Sequence, residues 1–131
     1  MKPNKEILMD MYAAFGRGDI PFIMDSFSDS ITWFDPTDPA IATNGGTYHG
    51  KAEMGRFFQN LVTTADTYLF EVNDYVAEGN MVVAVGRQGF KAKSTGKSGI
   101  IDWVMIWEFA DGTALKGRNY YDTARFEELF K

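Results

Sequence analysis

The chain has 131 residues, no cysteine, a single histidine and a net charge of −5, which excludes disulfides, thiolate chemistry and metal sites built on several imidazoles. The acidic balance, with no basic patch in view, argues against nucleic-acid binding. Neither a run of roughly 20 apolar residues nor a signal-peptide pattern at MKPNKEILMD is present, so the composition predicts a cytoplasmic chain without a membrane span, folded as one domain over 1–131.

Taken in order, Asn4 is placed to cap a first helix, along which Ile7, Leu8, Met11 and Phe15 recur at helical spacing until Gly16 and Gly18. Asp19 is placed to cap a second helix with Pro21 in its first turn and a stripe of Ile20, Ile23, Met24 and Phe27. Ser28-Asp29-Ser30 breaks it, and Ile31–Asp35 reads as a short strand stopped by Pro36. Residues 36–48 form a polar loop, long enough to be functional or mobile. A third helix over Lys51–Leu61 carries Met54, Phe57, Phe58 and Leu61 on its inner stripe. Strands then follow at Tyr68–Val76, Met81–Phe90, Ile100–Phe109 and Ala114–Tyr121, separated by turn residues, and a short helix closes the chain. Helices grouped ahead of an antiparallel meander predict an α+β domain with the helices on one face of a curved sheet.

The strand Ile100–Phe109 is apolar on both alternating faces, with Trp103, Met105, Trp107 and Phe109 on one and Val104 and Ile106 on the other. If the helices cover the first set, the second predicts a homodimer through the outer sheet face.

Several residues invite chemistry. Thr95-Gly96-Lys97-Ser98 looks like the end of a phosphate-binding loop, but Lys91 stands where the first glycine is needed, and a solvated hairpin fits better. His49, at a loop edge, reads as a surface residue. Asp35 lies beside Trp33 and Phe34 and before Pro36. A carboxylate among aromatics loses hydration, so its pKa rises and it becomes a better base near neutral pH. Asp-Pro is equally turn chemistry, and both readings stay open. Asn119 and Tyr121 share one face of the last strand, where they can offer hydrogen bonds inside an apolar cavity. On the other face Arg118 and Asp122 are spaced for an ion pair, while Asp122-Thr123 is also a natural cap for the closing helix.

The element order, together with Ala14–Asp19, Tyr48-His49-Gly50-Lys51, Trp107–Gly112 and Tyr121-Asp122-Thr123, resembles the nuclear transport factor 2-like superfamily, and within it the SnoaL-like and ketosteroid-isomerase-related proteins. The resemblance spans nearly the whole chain. It implies a cone-shaped, curved antiparallel sheet with three helices on its concave face. Asp35-Pro36 falls on the proton-shuttling base of the isomerases, whereas Met11 and Met105 fall on their oxyanion donors, and Tyr12 is displaced by one residue, about 100° around the helix. A likeness to limonene-epoxide hydrolase places Gly86, Gln88 and Asn119 on its catalytic groups, so neither mechanism transfers intact. The shared parity turns Trp33, Asp35, Gln88, Met105, Trp107, Asn119 and Tyr121 inward, facing Phe15, Phe57 and Phe58 from the helices. These implied positions outline a pocket for a hydrophobic small molecule, with no metal or organic cofactor. Three functions then compete: an isomerase- or cyclase-type enzyme with Asp35 as base, a non-catalytic ligand carrier, and a dimeric interaction module.

Overall fold

The computed structural model describes residues 2–131. Its elements are α1 (Asn4–Gly16), α2 (Ile20–Ser26), β1 (Phe27–Asp35), β2 (Gly46–His49), α3 (Gly50–Thr64), β3 (Ala65–Glu78), β4 (Met81–Ala92), β5 (Ser98–Ala110), β6 (Thr113–Tyr121) and α4 (Thr123–Glu128). One sheet holds all six strands in the order β2-β1-β6-β5-β4-β3. It is an α+β fold with a curved, unclosed sheet. Register shifts in β3 and between β5 and β6 mark bulges, which bend a sheet locally.

The meander β3-β4-β5-β6 is antiparallel, as the turn residues imply. The junction of β1 with β6 is parallel, however, so the sheet is mixed rather than wholly antiparallel. A parallel pair needs a long crossover, and here β2, α3 and β3–β5 supply it. Two further expectations are corrected. The loop after Pro36 contains β2, whose Tyr48 pairs with Trp33. And Phe27 opens β1 instead of ending a helical stripe, because its ring stacks at 6.2 Å on Trp107 and 6.4 Å from Phe58. Tertiary stacking there overrides the helical period.

Helix ends follow local chemistry. The Asp19 side chain accepts from Phe22 N–H at 3.1 Å and Asp122 accepts from Arg125 N–H at 3.0 Å, so both caps form as expected. Asn4 does not cap α1, since Pro3 holds that position and its carbonyl accepts from Glu6 and Ile7. Asp122, occupied as a cap, makes no pair with Arg118, which instead lies 3.9 Å from Glu108 across β5–β6.

Inward residues of β1, β4, β5 and β6 meet α1, α2 and α3 in the main core, including Leu8, Met11, Tyr12, Ile23, Trp33, Met54, Phe57, Trp103 and Trp107. Gly117 makes room for two of the three tryptophans. A Cβ there would lie 2.6 Å from Trp107 and 2.7 Å from Trp33, whose rings stand 5.0 Å apart. A second cluster forms where Phe126 of α4 and Leu129 at its C-cap sit with Phe90, Ala92 and Ile101. The Thr95–Ser98 turn serves that end. Thr95 Oγ1 donates to the Leu129 carbonyl and Lys97 Nζ to the Lys131 carbonyl, each at 2.5 Å, so its polar groups anchor the C-terminal segment. No helix among the described residues is long and apolar enough to cross a membrane.

Candidate functional site

The inner faces of the sheet and of α1–α3 enclose a cavity of about 80 Å³. All ten residues singled out from the sequence line it: Asp35, Phe15, Trp33, Phe57, Phe58, Gln88, Met105, Trp107, Asn119 and Tyr121. The strand alternation explains the convergence. Trp33 and Asp35 are two apart on β1, Asn119 and Tyr121 two apart on β6, and Met105 pairs with Asn119 in register.

Asp35 is the carboxylate of this wall, 4% exposed. Its Oδ1 accepts from Tyr121 Oη at 2.5 Å and from Thr37 N–H at 3.2 Å, and its Oδ2 accepts from Asn44 Nδ2 at 3.1 Å. Burial pushes its pKa above the ordinary 3.8, while the Tyr121, Thr37 and Asn44 donors each pull the other way. The bond to Thr37, two residues on, is an Asx-type turn. Asp35 is therefore both a turn residue and a desolvated acid; the two readings describe one geometry.

Tyr121 plays a different part from the one its position suggested. Burial first, then the neighbouring Asp35 charge, raise its pKa, so the hydroxyl keeps its proton. That proton goes to Asp35, and the Thr37 hydroxyl, 2.6 Å away, completes the chain. Tyr121 thus supports the acid and is not free to donate to a guest. Asn119, 7% exposed, leaves Oδ1 buried without a partner. The indole N–H groups of Trp33 and Trp103 are likewise unpartnered. Gln88 is committed through Nε2 to Thr67 Oγ1 at 3.0 Å.

Three contributors escaped the sequence reading. Tyr12 was placed off the site by its one-residue displacement, yet it lines the cavity beside Met11. A buried helix face spans 100° or more, so neighbours one position apart can both face inward. Its hydroxyl accepts from Trp107 Nε1 at 3.0 Å and donates to Met105 Sδ at 3.3 Å. Burial raises its pKa strongly, so it remains a neutral donor. Thr37 and Asn44, 2% and 1% exposed, come from the loop read as polar and irregular. The Asp35-Pro36-Thr37 turn signal could have found Thr37, while nothing local marks Asn44. His49 is exposed, with its backbone N–H donating to Glu53 at 2.9 Å. Among the described residues, no three His, Cys, Asp or Glu side chains gather where they could hold a metal ion.

Comparison with solved structures places this geometry in a group. A nuclear transport factor 2-like protein of unknown function from Burkholderia pseudomallei superposes with a TM-score of 0.91 at 25% identity, covering 100% of this chain and 99% of that one. A nuclear transport factor 2-like protein from Burkholderia thailandensis gives 0.88 at 27% identity, covering 100% and 99%. TerC, crystallised with polyporic acid, gives 0.88 at 26% identity, covering 98% of each chain. The search of curated proteins finds no match. Residues 8–116 match the family model described as the SnoaL-like domain, and the chain, with its curved sheet and buried Asp35, belongs to that family.

Proposed function

We propose that the cavity binds a hydrophobic small molecule bearing a carbonyl or hydroxyl oxygen, and that Asp35 acts on it as a general base in an isomerase- or cyclase-type proton transfer. The observation that carries this reading is the desolvated Asp35 carboxylate, held by three donors at the wall of an aromatic cavity. A raised pKa brings the base closer to neutral pH, where proton abstraction is most effective. The second Oδ2 lone pair, not used by Asn44, is the site for the abstracted proton. The unpartnered Trp33 and Trp103 N–H groups are donors left for a guest's oxygen, and the unpartnered Asn119 Oδ1 is an acceptor left for a guest's hydroxyl. The crystallisation of TerC with polyporic acid supports a pocket that accepts organic guests. The match of residues 8–116 to the SnoaL-like domain, with Asp35-Pro36 on the position of the isomerase base in the resemblance, supports the reaction class.

A carrier without catalysis is favoured by one feature, the full engagement of Asp35 Oδ1 by Tyr121 and Thr37. Asp35→Asn separates the two. As a base, its loss lowers turnover by about 10²–10⁴ with binding retained; in a carrier no turnover exists to lose. A carboxyl that titrates like a free acid, followed by NMR, would sink the catalytic reading. We also propose that two copies pair through the outer sheet face, where Val104 lies in register with Val85 and Tyr120, both well exposed in the single chain.

A further inference from the structure

A second concavity, of about 450 Å³, opens on the surface where the α1–α2 turn, the C-terminal half of α3 and the start of β3 meet. It shares Phe15, Phe58, Leu61 and Phe70 with the inner cavity, so these four side chains form a common wall between the two spaces. All four are half-buried, and Phe15 and Phe70 lean on one another with ring centroids 4.8 Å apart.

The two ends of the combined space differ in chemistry and are far apart. Asp35 is on β1 and Phe70 on β3, with β6, β5 and β4 between them. Four strand spacings of ~4.8 Å put about 19 Å of curved sheet between the two positions. The inner cavity alone is well below the roughly 300–1,000 Å³ of ordinary ligand pockets. The outer groove brings the whole into that range. Beyond the shared wall it offers Ile20, Val62 and Leu69, a polar margin of Asp66, Thr67 and Tyr68 from β3, and on one side only backbone, because Gly16 and Gly18 carry no side chain. A Cβ on either glycine would meet nothing within 4 Å.

We infer that the ligand is an elongated amphiphile, with a compact oxygen-bearing head in the inner cavity and an apolar body that displaces the shared wall of Phe15, Phe58, Leu61 and Phe70 to reach the groove. This rests on the pocket reading above and adds the shape of the guest and a second subsite. Apolar tail burial in the groove contributes to affinity in proportion to tail length.

The test uses 4-alkylphenols (phenol, 4-ethyl-, 4-butyl- and 4-hexylphenol), titrated calorimetrically into the full chain and into Gly16→Phe. Gly16 is the last residue of α1 and its Cβ position is open, so the added ring occupies the groove rather than the core. Val62→Phe, on the opposite wall and 60% exposed, serves as an independent second variant. In the native chain affinity should grow about fourfold per methylene through the hexyl member. Both variants should bind phenol unchanged and bind 4-hexylphenol at least about tenfold more weakly. Equal hexylphenol affinity in native chain and variants, or a plateau at 4-ethylphenol, overturns the second subsite while leaving the inner pocket standing. Failure of every phenol to bind the native chain overturns the pocket reading and this inference with it.

Discussion

Replacing Tyr121 by Phe deletes one oxygen and two contacts, the donation to Asp35 Oδ1 and the 2.6 Å contact with Thr37 Oγ1. A hydrogen bond to a charged group contributes about 1.5–3 kcal/mol net, and Thr37, at 2% exposed, cannot recruit bulk water in its place. The cost must depend on pH, because the carboxylate draws more from this donor than the neutral acid does. Burial already holds the Asp35 pKa above 3.8 against the pull of Tyr121, so removing the donor raises it further. An acid whose folded pKa exceeds its unfolded value gives its most favourable contribution below the unfolded pKa and loses it as pH rises through the folded one. Relative to the native chain, Tyr121→Phe should therefore lose most at neutral pH and little in acid. We expect about 2 kcal/mol at about pH 7.5, a urea midpoint lower by about 1 M at a typical m-value. At about pH 4 the loss should be less than half as large. If Asp35 is the base, the acid limb of the kcat/KM profile should move to higher pH with it. Equal costs at the two pH values would show that Tyr121 does not act on the ionised Asp35, and the reasoning would fail.

Gly117→Val should drive a side chain into the Trp33 and Trp107 rings, costing about 1–3 kcal/mol and altering the near-UV circular dichroism of the pair; an unchanged spectrum would mean the indoles do not meet there. Tyr12→Phe strands the buried Trp107 N–H without its acceptor, for about 1–3 kcal/mol in denaturant unfolding. A silent substitution would place that hydroxyl elsewhere. Val104→Glu should convert a dimer to monomers in sedimentation velocity without changing ligand affinity. A native chain already monomeric at high concentration rules the sheet-face pairing out.

Periodicity alone was enough to determine the four-stranded meander and the three packed helices, because alternation along a strand and the helical repeat are local properties of the chain. It grouped Trp33 with Asp35, Met105 with Trp107 and Asn119 with Tyr121, but that these sets face inward came from the family resemblance. The same locality carried the caps at Asp19 and Asp122. What depended on distant contacts was decided only in the folded chain. Phe27 became a strand residue because Trp107, eighty positions away, offered it a stacking surface. β1 found β6 in parallel because the intervening elements carried the chain back. Tyr12 entered the cavity because Trp107 and Met105 supplied its hydroxyl with partners. The state of Asp35 shows the division most plainly. Its neighbours in sequence announced a turn and an apolar setting, but the donors that hold its charge come from Asn44 in a loop and Tyr121 at the far end of the chain. Only tertiary structure brings those to one carboxylate, since a hydrogen bond across 86 residues leaves no period in the sequence.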